Sequence, residues 1–269
     1  MNIGSITLVY FSPTRTTKQI IESIAKGIKN RSITHIDLTP PIVNDQGVVE
    51  FDEELVIIGA PVYAGRIPVE AVSRLQKFKA NNTPAVVVVV YGNREYEDAL
   101  AELRDIALKG GFKPVAGGAF IGVHSFSTEE TPIAQERPDR KDLKKALEFG
   151  EKIKAKMEGY GGSKDIPRLQ VPGNYPYKER GQRSEEISPI TKEEHCILCG
   201  QCAEVCPTAA ISINTEVVTK QEACIYCCAC VKNCPSNARI MEHPRIRKIA
   251  IWLSTNYSER REPEIFLAS

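Results

Sequence analysis

The sequence predicts an α/β protein: a doubly wound parallel sheet of five strands, followed by a small α+β module rich in cysteine. Three observations carry this. The first 157 residues alternate short apolar runs with longer amphipathic ones, the pattern of βαβ units laid over a parallel sheet. A stretch containing Pro167, Pro172, Pro176 and Pro189 among charged residues then breaks that rhythm. Beyond it lie all 9 cysteines of the 269-residue chain. The expected organisation is a sheet domain over 1–158, a linker over 159–191, a cysteine module over 192–240, and a helix and tail over 241–269.

Strands are expected at Ser5 to Phe11, Thr34 to Asp37, Leu55 to Gly59, Ala85 to Tyr91 and Lys113 to Ile121, where Val and Ile suit strands covered on both faces. Helices are expected at Thr16 to Lys29, Pro68 to Phe78, Tyr96 to Lys109 and Pro138 to Met157, with Pro68 and Pro138 near first turns. The linker exceeds an ordinary connection in length, and its segment Val171-Pro-Gly-Asn-Tyr-Pro-Tyr177 is too aromatic for inert spacer. Two readings stand: it lies across the first domain and fixes the module in place, or it is a flexible tether. In the tail, Ile246, Ile249, Trp252 and Leu253 recur at helical spacing in a helix beginning near Pro244, which predicts packing against the body.

At 42% apolar residues the chain can bury a sizeable core, and a formal charge of +1 creates no whole-chain field to attract nucleic acid or anionic lipid. The apolar run Pro84 to Tyr91 is strand-sized, so no membrane insertion is expected. The chain opens on a strand pattern without a basic leader, and the expected location is cytoplasmic.

The cysteines form two matched runs, Cys196-Ile-Leu-Cys199-Gly-Gln-Cys202-Ala-Glu-Val-Cys206-Pro207 and Cys224-Ile-Tyr-Cys227-Cys228-Ala-Cys230-Val-Lys-Asn-Cys234-Pro235. Each repeats the spacing that holds a cubane iron-sulfur cluster: three thiolates two residues apart bend around one cluster, and the fourth, before Pro, reaches a neighbouring one. Structural zinc and a disulfide framework are the competing uses of close cysteines. Zinc wants two pairs separated by a finger, and nothing before Cys196 could be stapled. Two 4Fe-4S clusters are therefore expected, with Cys228 left over as a small buried thiol.

The loop after the first strand reads Phe11-Ser12-Pro13-Thr14-Arg15-Thr16-Thr17-Lys18 and opens an amphipathic helix. Hydroxyls beside the unpaired N–H groups and positive dipole end of a first turn form an anion site, or simply cap the helix. Neither a P-loop nor a Gly-x-Gly-x-x-Gly run is present.

With these features together, the chain resembles the fusion of a flavodoxin-like domain with a bacterial two-cluster ferredoxin domain. The resemblance implies FMN, its phosphate held by Ser12, Thr14, Thr16 and Thr17, with Arg15 adding charge. It implies that the isoalloxazine is flanked by Pro61, Val62, Tyr63, Ala64 and Gly65 on one side and by Tyr91, Gly92, Asn93 and Tyr96 on the other. Ligands of open α/β sheets independently favour this end, outside the carboxyl ends of the strands. The resemblance further implies that Cys196, Cys199, Cys202 and Cys234 ligate one cluster, and Cys224, Cys227, Cys230 and Cys206 the other. The chain departs from many flavodoxins in having 1 Trp, Trp252, outside the flavin loops.

His124, in the loop Gly122-Val123-His124-Ser125-Phe126-Ser127 after the last strand, is either an ordinary solvated loop residue or the candidate proton-handling residue. Three functions fit: an electron relay between two clusters and FMN serving other redox proteins, an FMN-dependent reductase of a small organic substrate, and a cluster-dependent sensor or assembly protein.

Overall fold

The computed structural model describes residues 1, 3–30, 32–41, 48–51, 55–181 and 186–269. Residues 182–185 of the expected linker lie outside the described residues. The first domain runs β1 (Ile6–Tyr10), α1 (Thr16–Ile28), β2 (Ile33–Asp37), β3 (Val49–Phe51), β4 (Leu55–Pro61), α2 (Val69–Leu75), β5 (Phe78–Ala80), β6 (Thr83–Tyr91), α3 (Ala99–Lys109), β7 (Phe112–Ile121) and α4 (Arg140–Glu158). The module and tail follow as β8 (Ile190–Thr191), α5 (Gln201–Glu204), β9 (Ile211–Ile213), β10 (Val217–Thr219), α6 (Ala229–Lys232), β11 (Arg239–Ile240), α7 (Pro244–Asn256) and β12 (Glu264–Leu267).

Five strands are parallel and lie in the order β2-β1-β4-β6-β7. The order of first appearance, 2-1-3-4-5, is that of the flavodoxin-like doubly wound sheet. The expected five-stranded sheet is corrected to six. Strand β12 of the tail pairs antiparallel with β7, in register Glu264 to Ala119 and Leu267 to Ala116. Its four residues, Glu-Ile-Phe-Leu, show no polar–apolar alternation and are too few to read as a strand beforehand. The central strands β4 and β6 are buried on both faces, which is why they read as unbroken apolar runs.

Helices α1 and α4 meet backbone to backbone. A Cβ built on Gly27 would stand 1.9 Å from the Leu147 carbonyl oxygen, and one on Gly150 would stand 2.0 Å from that of Ile24. Helix α4 begins at a capping box in which Asp139 accepts from the N–H groups of Lys141 and Asp142, while Asp142 accepts from that of Asp139.

Consecutive strand residues face opposite sides, and β7 shows what covers each. A Cβ on Gly118 would meet Phe120 and Phe149 of α4, whereas one on Gly117 would meet Val171 and Leu169 of the linker. The described part of the linker thus lies across the sheet domain. Its N–H groups at Asn174 and Lys178 donate to Asp98 at 2.7 and 2.6 Å, the Tyr177 hydroxyl donates to Asp105 at 2.5 Å, and Arg180 pairs with Glu102 at 2.6 Å.

Because the α1–α4 contact leaves no room for a methyl group, Gly150→Ala should cost about 1–3 kcal/mol of stability through overpacking. Chemical denaturation checks this, and a loss below about 0.5 kcal/mol, the usual surface range, would show that the helices separate freely.

Candidate functional site

The carboxyl ends of β1, β4, β6 and β7 deliver four loops to one end of the sheet, and the cysteine module sits over them. The first loop turns at Arg15, whose φ of 66° is left-handed, and α1 starts at the next residue. Within it the Ser12 hydroxyl accepts the Lys18 N–H at 3.1 Å, and the Ser12 N–H donates to the Thr39 hydroxyl at 2.8 Å. Thr17 is buried at the first turn, and its Oγ1 has no hydrogen-bond partner among the described residues. A buried hydroxyl without a partner is costly. Here it lies beside first-turn N–H groups that have no intrahelical acceptor. Thr14 and Thr16 are partly exposed and Arg15 is exposed.

The loop after β4 is narrowed by Ala64 and Gly65, both left-handed, at φ 52° and 83°. A Cβ on Gly65 would fall 2.1 Å from a Glu97 carboxylate oxygen, so only glycine fits there. Pro61 and Val62 are partly buried, and the Val62 N–H is held by the Val90 carbonyl at 2.9 Å. Arg66 closes the turn by a bidentate pair with Glu102, both bonds at 2.8 Å, and its guanidinium lies 4.7 Å from the centre of the Tyr177 ring. Tyr63 exchanges backbone hydrogen bonds with Arg66. Burial, and then the neighbouring Cys227 and Cys228, push its phenol well above the usual range. The second cysteine run therefore rests on Tyr63.

The loop after β6 is committed to the chain itself. Tyr91 and Tyr96 are buried against one another with ring centres 5.5 Å apart, and the Tyr96 hydroxyl donates to Glu264 of β12 at 2.9 Å. The Asn93 amide donates to the carbonyls of Tyr257 and Glu259 at 2.6 and 2.8 Å. Gly92 abuts His124, where a Cβ would fall 2.3 Å from Cδ2. The Nδ1 of His124 accepts the Phe126 N–H at 3.1 Å. Burial, and then the charges of Lys232 and Arg94, lower its pKa to about 4.

Two contacts that sequence reasoning missed dock the module. Arg74 of α2, almost fully buried, donates to the carbonyls of Leu38 and Thr39 and, at 2.7 Å, to that of Pro207 beside Cys206. Lys232 of α6 donates to the Ser127 carbonyl in the His124 loop at 2.7 Å. Both of these bonds end on backbone carbonyls, so no charge pattern in the sequence marks them.

The module gathers its thiols into two sets. Cys206, Cys224, Cys227, Cys228 and Cys230 line one cavity, and Cys196, Cys199, Cys202 and Cys234 line another, each of only about 20 Å³. Buried Arg239 borders both, donating to the hydroxyls of Thr191 and Thr219. The Cys206 sulfur accepts the Ala210 N–H at 3.3 Å, and burial favours the neutral thiol at Cys227 and at Cys230, the latter raised to about 11. Cys228 is buried beside Tyr63, its thiol donating to the Tyr226 carbonyl at 3.7 Å.

A family model described as a 4Fe-4S binding domain matches residues 189–212. No curated protein matches the chain. Among solved structures it is similar to a flavodoxin from the domain Archaea, at 18% identity and a TM-score of 0.39 over 57% of this chain and 99% of that one. It is also similar to the Flv1 flavodiiron core of Synechocystis sp. PCC6803, at 18% identity and a TM-score of 0.42 over 58% of this chain and 36% of that one. A third is a Fusobacterium nucleatum flavodoxin bound to flavin mononucleotide, at 16% identity and a TM-score of 0.38 over 56% and 97%. The flavodoxin-like fold stands on the strand order itself.

One expectation is overturned. Among the described residues no group of three or more His, Cys, Asp or Glu side chains is disposed to hold a metal ion, and the 4Fe-4S match covers the first cysteine run alone. The expected cofactor complement of FMN with two 4Fe-4S clusters is corrected accordingly: the chain has a single Fer4-type region, and its second run, although spaced alike, lies outside that match. Among the described residues no helix is long and apolar enough to cross a membrane.

Two outcomes follow from this geometry. Arg74→Met removes the donor to Pro207 and should raise amide exchange across 190–240 while leaving α1 and α4 protected; unchanged exchange in the module would show that Arg74 does not hold it. His124 should titrate near pH 4 by NMR, so its contribution to stability is complete above about pH 6.5, its ordinary value, and declines as the pH falls toward 4. A titration midpoint at or above 6.5 would contradict the burial described.

Proposed function

We propose that the chain is an electron-transfer protein whose flavodoxin-like sheet binds FMN at its carboxyl-end loops. The observation that carries this is the buried, unpartnered Thr17 Oγ1 at the start of α1. A phosphate there accepts from that hydroxyl and from the first-turn N–H groups, and the helix dipole favours its charge. Thr14, Thr16 and Thr17 would hold the phosphate, with Arg15 at the rim, because Ser12 is already engaged inside the loop. The backbone of Pro61 to Gly65 and of Tyr91 to Asn93 would border the ring. When bound, such a flavin supplies one- or two-electron exchange.

An electron carrier is favoured over a reductase of a small organic substrate. The side chains available to protonate a substrate are otherwise committed: Tyr63 lies under the second cysteine run, Tyr96 donates to Glu264, and His124 is neutral at pH 7. Redox proteins are the partners this reading calls for, in a cytoplasmic setting.

The test is flavin binding. Wild type should take up FMN, and Thr17→Val should weaken that binding about 10- to 100-fold, the worth of one hydrogen bond to a charged group, while leaving riboflavin affinity unchanged. Equal losses for both flavins, or no uptake by the wild type, would sink the assignment.

A further inference from the structure

Helix α7 buries one apolar stripe and leaves three further large apolar side chains exposed. Ile246, Ala250 and Leu253 are buried, with Ala250 and Leu253 packed on Ile133 in the loop after β7. The expected packing of Ile249 and Trp252 against the body does not occur. Ile249, Ile251 and Trp252 are 36%, 48% and 49% exposed, although Trp252 touches Tyr257 edge to face.

The charges on this helix are one-sided as well. Its sequence Pro-Arg-Ile-Arg-Lys-Ile-Ala-Ile-Trp-Leu-Ser-Thr-Asn holds Arg245, Arg247 and Lys248 and no acid. All three are exposed, and among the described residues none enters an ion pair. They crowd the N-terminal half, where the helix dipole opposes positive charge. Cations so placed do not serve the helix itself.

The position of α7 gives this surface a use. The Ser254 hydroxyl donates to the Pro132 carbonyl at 2.9 Å, and the chain leaving the helix is gripped by Asn93 at the loop after β6. The outer face of α7 therefore stands at the carboxyl end of the sheet, where the flavin is assigned.

We propose that the outer face of α7, Arg245, Arg247, Lys248, Ile251 and Trp252, is the docking surface for an acidic redox protein with an apolar centre to its contact patch. The assignment rests on the electron-transfer reading, whose partner class it names. Trp and Arg are the residues that anchor protein interfaces, and unpaired cations around an apolar centre complement a carboxylate-rimmed surface. An anionic bilayer fits less well. A helix lying in a membrane interface keeps one apolar face for the lipid and its cations on the other, whereas here the cations and apolar residues are interleaved and the uniform apolar stripe is spent on Ile133.

The single tryptophan makes the test direct. An acidic ferredoxin that lacks tryptophan is titrated into the full chain by calorimetry, with Trp252 emission as a second readout. Binding at low salt that alters the emission and weakens at least about tenfold near 0.5 M salt is expected. The triple reversal Arg245→Glu, Arg247→Glu, Lys248→Glu should abolish it without unfolding the helix, since those acids suit its N-terminal end. Trp252→Ala, which removes the half-exposed ring and its edge-to-face contact with Tyr257, should weaken it about tenfold or more. Absence of binding, binding indifferent to the triple reversal, or binding only to phosphatidylglycerol vesicles would overturn the proposal. A chain that takes up no flavin yet binds the ferredoxin through α7 would sink the flavin assignment and leave the docking surface standing.

Discussion

The Glu102 carboxylate is the interaction on which the arrangement depends. It is nearly buried on α3, yet it accepts both donors of the Arg66 fork, the Ile67 N–H and a donor of Arg180. One side chain thus joins the loop after β4, a helix of the sheet domain and the far end of the linker. Losing one partner from a buried pair strands the other charge, at a cost of about 3–5 kcal/mol. Such a node contributes position more than net stability, because desolvating several charged groups offsets much of their attraction. Position is what the site needs: the turn at Ala64 and Gly65 stays narrow because Arg66 is held, and Tyr63 meets the cysteine module because that turn is narrow.

From Tyr63 outward, two buried or half-buried cations bridge the contact between the two parts. Arg74 and Lys232 each donate across it to a backbone carbonyl of the other part. A cation ending on a carbonyl brings no second charge to desolvate. It also fixes direction, since a carbonyl accepts along a limited range of angles. This arrangement explains how a small module with little core of its own is seated firmly on a larger domain.

Much of this is legible in the sequence. The five parallel strands and four helices of the sheet domain follow from apolar runs and amphipathic periods, and they fall within a few residues of the expected positions. Cys206 borders the cavity that the second-run thiols line, and Cys234 borders that of the first. What fails has physical causes. Strand β12 spans four residues, too few to establish a period. The periodicity of α7 marks its apolar positions but not which of them meet the body, because apolar residues occur on both its buried and its outer face. Tyr96 stands at the right end of the sheet, but its hydroxyl is claimed by Glu264, a partner 168 residues away that no local pattern reveals. The cofactor complement rests on spacing, and spacing specifies how sulfurs are strung along the chain rather than what they enclose.

Strand β12 also bears on how the protein comes to be folded. It pairs with β7, yet the linker, the whole cysteine module and α7 separate the two in the chain. During synthesis from the N-terminus, the five parallel strands emerge first, and β7 presents an open edge until the tail arrives. An unpaired edge is a template for another chain. The cysteine module is therefore, in topological terms, an insertion into the sheet's final connection rather than an appendage, and the sheet closes only after the module has emerged and taken its seat.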